Sequence, residues 1–384
     1  MPHLKKNKVT LLSSKMMCNK PSGLTTAHRV MKRRRVTLVS RVNIKRLTSP
    51  GSSETTRGAF LASSPFPVPN REDQSVMVLD DNTSKGNKGN NAYFQFVEWK
   101  QHLPQHKKLA GKRDYTFLEW FIGFSEGDGC FGIKNGRPYF AINQADLRLM
   151  QYIRSKLGFG RVSTFTQANR VYARYEVATP VGVGQLVALF NGNLHLAKTH
   201  QRFTRWVSFY NSHQNKKVVV KPRLAVSLIS LQNGWLSGFF DAEGCCSASL
   251  VKDERMKLGV RLHVKACLDQ KYEYDVLQQI GTLFGVCKVC VRNKEKEYYR
   301  VEMVSKQSLG LVMQYFTAYK LRGRKGASYA AWLKVARSFM SGAHLNGPVD
   351  LLEKRVQKIQ SANQAFKRAK SVLTLLKEQI EKGL

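Results

Sequence analysis

Two stretches of this 384-residue chain decide its fold. The first is Phe117-Leu118-Glu119-Trp120-Phe121-Ile122-Gly123-Phe124-Ser125-Glu126-Gly127-Asp128-Gly129-Cys130-Phe131, and the second is Trp235-Leu236-Ser237-Gly238-Phe239-Phe240-Asp241-Ala242-Glu243-Gly244-Cys245-Cys246. Each reads as an apolar helix that ends in small-acid-Gly and runs into a strand. The acids Asp128 and Glu243 are 115 residues apart, the length of a small domain. Apolar residues nearly all round imply burial of both helices. Small residues four apart, Gly123 with Gly127 and Gly238 with Ala242, lie on one helix face. They would let the two helices approach closely and bring Asp128 and Glu243 side by side.

The surrounding sequence repeats as well. Each copy continues with two strands, and the clearest is the alternation of Val260, Leu262, Val264, Ala266 and Leu268 with Arg261, His263, Lys265 and Cys267, which predicts one buried and one exposed, basic face. A helix follows in each copy, with Leu147, Met150, Ile153 and Leu157 in one and Val276, Leu277, Ile280 and Phe284 in the other. Gly158 and Gly285 supply the C-cap signal. Strands are expected around 161–166 and 171–178, then around 286–292 and 298–304, followed by short helices at about 181–191 and 308–319. A closing helix ends each copy, with Lys198, Phe203 and Trp206 spaced like Arg324, Tyr329 and Trp332.

The expected organisation is a basic, disordered N-terminal extension and linker over 1–95, with regular structure from near Asp114. A first repeat over 114–212 is joined through 213–225 to a second over 226–341. Residues 350–384 form an amphipathic helix carrying Leu352, Val356, Ile359, Ala362, Phe366, Ala369, Leu373, Leu376 and Ile380 in steps of three and four. That pattern suits packing on the protein or a partner better than contact with nucleic acid.

Charge narrows the function. Sixty-three Lys and Arg against 26 Asp and Glu give a formal net charge of +37. Thirteen of those basic residues and no acid fall within residues 1–53. Such an excess favours DNA, RNA or an anionic surface as partner. No apolar run is long enough to cross a membrane, and no secretory h-region is present. Seven scattered cysteines argue for a reducing compartment rather than a disulfide framework. The lone pair Cys287 and Cys290 is a weak zinc signal. No phosphate-binding Gly-rich loop with Lys-Ser/Thr indicates nucleotide use.

Two carboxylates at adjoining helix C-termini face the negative ends of both macrodipoles and repel each other, costing on the order of 0.3–1 kcal/mol per helix end. A divalent cation removes both penalties. Paired acids holding Mg²⁺ or Mn²⁺ beside a basic surface suit phosphodiester hydrolysis.

In these residues the chain resembles the LAGLIDADG homing endonucleases, in their single-chain form with two motifs. Phe121 to Gly129 and Leu236 to Gly244 fit the nine-residue motif, and the resemblance runs from about Tyr115 to about residue 340. It implies an α+β fold of two pseudo-symmetric αββαββα domains. Their sheets would form a β-saddle, with the motif helices at the domain interface. It implies that Asp128 and Glu243 hold the metal, that Gln144 and Gln270 stand near it, and that Lys198 and Arg324 or Lys325 assist at the scissile phosphates. DNA contacts are expected from Lys134, Arg137, Tyr139, Asn143, Arg170 and Arg174, and from Lys252, Arg261, His263, Lys265, Arg292 and Arg300. The implied function is that of a monomeric, intron-encoded, site-specific double-strand DNA endonuclease, placed first in the mitochondrion and second in the chloroplast. An RNA-binding maturase acting on its host intron, or an inactive nucleic-acid-binding derivative, are the alternatives.

Overall fold

The computed structural model describes residues 94–102, 115–213 and 219–382, so the expectation for residues 1–93 lies outside the described residues. In the first half, α2 (Tyr115–Asp128) leads into β1 (Gly129–Lys134) and β2 (Arg137–Gln144). Then follow α3 (Leu147–Leu157), β3 (Arg161–Gln167), β4 (Arg170–Val177), α4 (Pro180–Phe190) and α5 (Ala197–Ser212). The second half repeats that order with α6 (Trp235–Glu243), β5 (Gly244–Lys252), β6 (Val260–Lys271) and α7 (Tyr274–Leu283). It continues with β7 (Cys290–Asn293), β8 (Tyr298–Met303), α8 (Lys306–Ala318) and α9 (Lys325–Met340). A short α1 (Val97–Gln101) precedes the halves and a long α10 (Val349–Lys382) follows them.

Local signals account for the element ends. Asp146 accepts the Leu149 N–H at 3.2 Å and left-handed Gly158 closes α3. Thr179 caps α4 with Pro180 in its first turn, and Ser305 caps α8. Asn135 and Gly136, both at positive φ, make the tight turn between β1 and β2.

Each half folds its strands into one antiparallel four-stranded sheet, ordered β1-β2-β4-β3 and β5-β6-β8-β7. The two sheets form the saddle expected from the repeat. The motif helices α2 and α6 cross between them at very close range. A Cβ on Gly123 would overlap the carbonyl oxygen of Trp235, and one on Gly238 would overlap that of Trp120. Only glycine admits such an approach at either position. One continuous core joins the halves, with Trp120, Trp206, Trp235 and Trp332 all fully buried. Trp206 of α5 donates to the Tyr139 carbonyl at 3.0 Å, and Trp332 of α9 donates to that of Ser247 at 3.2 Å. Each closing helix is thereby pinned to its own sheet.

Three expectations need correction. Ordered structure starts before Asp114, because Phe94, Phe96 and Trp99 are buried and dock the segment 94–102 on the first half. Gln95 and Asn193 also exchange two hydrogen bonds, at 2.9 and 2.8 Å. Three aromatics within six residues bury enough apolar area to hold a short segment in place. Second, β7 spans only Cys290–Asn293 and breaks register between Val291 and Asn293. Cys287 therefore lies outside the strand. Both cysteines are exposed, and no group of three or more metal-binding side chains occurs among the described residues. Third, the alternation along β6 holds at Leu262, Val264, Ala266 and Leu268 but fails at Cys267, which is buried. Cys267 sits opposite Cys245 on β5, and its next neighbour on that face, Asp269, is engaged by Arg300.

Candidate active centre and nucleic-acid face

The crossing of α2 and α6 sets the position of everything at the site. Asp128 and Glu243 are the last residues of the two helices. Glu243 lies against the other helix: a Cβ on Gly127 would stand 3.5 Å from its Oε1. The two acids are therefore adjacent and half-buried, as the small-residue spacing anticipates.

Their surroundings differ. Gln144 donates from Nε2 to Asp128 Oδ2 at 2.6 Å. Burial, reinforced by the Glu243 charge and opposed chiefly by Lys370, raises the Asp128 carboxyl above the usual carboxylate range. Burial also works to raise Glu243. The ammonium of Lys370, bound to Glu243 Oε2 at 2.5 Å and aided by Lys198 and Lys325, outweighs it and holds the carboxyl below its ordinary value. Gln270 is engaged differently from Gln144. Its Oε1 accepts from Lys198 Nζ.

The basic residues cross between halves. Lys198, at the start of first-half α5, reaches Gln270 and the Lys271 carbonyl of the second half. Arg324, just ahead of second-half α9, reaches the Ala145 carbonyl of the first, at 3.4 Å, beside Gln144. Of the two second-half candidates, Lys325 is the one at the acids, with Nζ 3.2 Å from the Phe240 carbonyl and 2.9 Å from that of Ala242. Burial pushes Lys325 and Lys198 down to about 8 each. Lys325 thus offsets the negative end of the α6 dipole.

Several further residues surround the acids. Lys370 of α10 also donates to the Ala242 carbonyl at 2.8 Å, and Lys377 donates to the Gly127 carbonyl at 2.7 Å. Beneath the site, Glu126 accepts from the Leu196 N–H at 2.7 Å and the Trp235 indole at 2.6 Å. Asp241 accepts from the Trp120 indole at 3.0 Å and the Arg322 N–H at 2.7 Å. Glu273 accepts from the Ala197 and Lys198 N–H groups and so caps α5 from the opposite half. A signal for the Trp–acid pairs was present, since both members recur at the same 115-residue offset as Asp128 and Glu243. Lys370 and Lys377 lie outside the repeat, and no such signal marks them.

The donor set suits a hard cation. Among the described residues no cluster of three ligating side chains exists. The site offers two carboxylates and the helix-end carbonyls of Gly127 and Ala242, which already attract ammonium groups. An all-oxygen set with few carboxylates is the kind Mg²⁺ accepts when phosphate and water complete its shell.

The sheet faces carry the expected basic residues unevenly. Pairing puts Lys134 opposite Arg137 and Asn143 opposite Arg174, on one face with Tyr139 and Arg170. Lys134, Arg137 and Arg170 are exposed. Asn143 is buried and accepts from Arg174 at 2.8 Å. In the second sheet Arg261, His263 and Lys265 share a face with Arg300 across the ladder. His263 and Arg292 are exposed, the latter within the β7 irregularity. Arg300 is held by Asp269 at 2.6 and 2.7 Å, Lys265 by Glu302 at 2.8 Å, and Arg261 by Asp253 at 2.5 Å. Lys252 differs from the other expected contacts in register: it is exposed at the end of β5 but pairs with Val260, whose parity is that of the core-side face, while Val251 stands opposite Arg261. A one-residue slip in reading β5 inverts its facing.

Two αββαββαα halves on one chain, each with one helix more than the expected αββαββα, are joined through crossed motif helices that end in acids and define a pseudo-dimeric two-motif saddle protein. The profile of the LAGLIDADG endonuclease family matches residues 121–210 and 236–336, one match per half. The chain belongs to that family. It is 32% identical over 244 residues to the Neurospora crassa protein called probable intron-encoded endonuclease 4, a match covering 62% of this chain and 43% of that one. It therefore spans less than half of that relative's length. It is 24% identical to the Saccharomyces cerevisiae intron-encoded RNA maturase bI4, over 60% of this chain and 38% of that one. Among solved structures, the I-LtrWI LAGLIDADG homing endonuclease bound to target DNA superposes with a TM-score of 0.51 at 16% identity. That superposition covers 64% of this chain and 96% of that one, and is a likeness of fold.

Proposed function

We propose that this chain is a site-specific double-strand DNA endonuclease that promotes the spread of its own intron. The observation that carries this reading is the adjacency of Asp128 and Glu243 at the crossed helix ends, between two sheets with basic faces. Divalent cations, Mg²⁺ or Mn²⁺, would be held by those two acids with the Gly127 and Ala242 carbonyls. The chemistry they supply when bound is charge stabilisation at the scissile phosphate and activation of water.

The chain's own residues do the rest. Gln144 orients Asp128, while Lys198 and Lys325 keep positive charge beside the acids. Arg137, Arg170, His263 and the other exposed face residues meet a long duplex, with most lysines touching phosphate and carrying affinity rather than sequence. One chain supplies both halves of the site, so the active form is a monomer. The repeat bodies 114–212 and 226–341 are the two DNA-binding units. We place the protein in the mitochondrion, in keeping with a relative from Schizosaccharomyces pombe that is described as a cox1 intron-2 protein and is 28% identical.

The second reading, an intron maturase, is favoured by the Saccharomyces cerevisiae relative's description. The test incubates purified protein with DNA spanning the intron-free insertion site, in Mg²⁺, in EDTA, and with Asp128→Asn. Discrete Mg²⁺-dependent ends that vanish in the variant are expected. No cleavage together with tight binding to the intron RNA would transfer the protein to the maturase class.

A further inference from the structure

The long C-terminal helix is attached unequally along its length. Near its start Leu352, Val356 and Ile359 are buried in the core. From Ala362 onward its apolar residues Phe366, Leu373, Leu376 and Ile380 are only half-buried. The helix follows the edge of β5, where Gln360 and Asn363 donate to the Ala248 and Cys246 carbonyls at 3.3 and 2.9 Å. It then crosses both motif-helix ends. There its attachments are ammonium groups: Lys370 on Glu243 Oε2 and the Ala242 carbonyl, and Lys377 on the Gly127 carbonyl. The two lysines are seven residues apart on one helix face, about 10 Å along the axis.

We propose that the C-terminal part of α10 is a displaceable strap, with Lys370 and Lys377 standing in for a divalent cation pair at the motif-helix ends, so that cation entry releases the helix. This rests on the reading that Asp128 and Glu243 hold metal. The two lysines cap matching oxygens, the carbonyl of the residue before each motif acid, and Lys370 adds the acid itself. Each motif end therefore has its own stand-in charge. A small dication on the same hard oxygens exerts twice an ammonium's charge and competes directly with it. The Lys370 side chain is 42% exposed, so solvent ions can reach the pair. Half-buried contacts give the segment beyond 363 low local stability, whereas buried Leu352, Val356 and Ile359 keep the helix tethered when it opens.

The test uses the full chain and Mn²⁺ alone. Mn²⁺ binding is read by electron paramagnetic resonance, and amide exchange along α10 by mass spectrometry. In the unmodified protein, Mn²⁺ is expected to speed exchange over 364–380 at least about tenfold and leave 352–360 unchanged. The Lys370→Met/Lys377→Met variant is expected to exchange fast over 364–380 before any metal is added, to gain little more from Mn²⁺, and to bind Mn²⁺ more tightly. Bound Mn²⁺ with unchanged exchange in the unmodified protein would overturn the strap while leaving the cation site standing. Failure of both proteins to bind Mn²⁺ would overturn the cation-site reading and the strap with it.

Discussion

Trp235 donates its indole N–H to Glu126 at 2.6 Å, across the boundary between the two halves. The reciprocal bond runs from Trp120 to Asp241 at 3.0 Å. Each motif helix therefore donates an indole N–H to the acid buried in the other, two residues before the acid that faces the site. Burial pushes the Glu126 carboxyl up to about 8 against the hydrogen bonds that pull it down. Trp235→Phe keeps an aromatic ring and removes the donor, leaving a buried carboxyl oxygen unpaired at a cost of about 1–3 kcal/mol. We expect urea denaturation to show a loss in that range, and an unchanged midpoint would mean the bond carries no weight at the interface.

Gly123 faces the Trp235 carbonyl and Gly238 faces that of Trp120, with no space for a side chain. Gly123→Leu must push the helices apart and uncouple the buried aromatics between them, at about 3 kcal/mol or more. A lowered melting temperature is expected, with cleavage lost at temperatures where the variant remains folded, because the acids no longer meet. A variant that melted and cut like the unmodified chain would remove the close-crossing account.

The crossing was legible because a duplicated pattern leaves a duplicated signal. Gly123 and Gly238, Asp128 and Glu243, and Trp206 and Trp332 could each be read as pairs. Lys252 was not readable, since period-two alternation fixes a strand's faces only if its register is known, and β5 offered the small residues Cys245, Cys246, Ser247, Ala248 and Ser249 rather than a clear apolar row. Cys267 was misread because exposure in a sheet depends on what neighbouring strands place beside a residue. Lys370 and Lys377 were invisible for a different reason. The apolar period of α10 predicts that it packs, but the place where it docks is a tertiary fact no local spacing records.

His195 lies edge-on to both Phe94 and Trp235, with ring centroids 5.5 and 4.9 Å away, and burial lowers it to about 4. The unfolded chain binds its proton near 6.5, whereas the folded chain resists it. Stability from this residue is therefore complete above about pH 6.5 and is lost as the pH falls toward 4, by at most about 3 kcal/mol. Replacing the ring by His195→Phe should flatten that slope. Unfolding free energies at pH 7.5 and 4.5 for both proteins check it, and an equal fall in both would assign the acid sensitivity elsewhere.

The sheet register separates residues that composition treats alike. Arg137 is exposed on the face shared with Lys134 and Tyr139, and His263 on the equivalent face of the second sheet. Lys252, though equally basic and exposed, has the opposite parity and pairs with Val260. If the basic faces meet the duplex, Arg137→Ala should weaken target binding by about 1–3 kcal/mol where it reads a base edge, or lower the salt slope by about one where it touches phosphate. Lys252→Ala should change neither. Affinities for target DNA over a range of salt concentrations decide between them. A Lys252→Ala loss equal to that of Arg137→Ala would mean that the DNA approaches from another side, and that net charge rather than sheet facing governs binding.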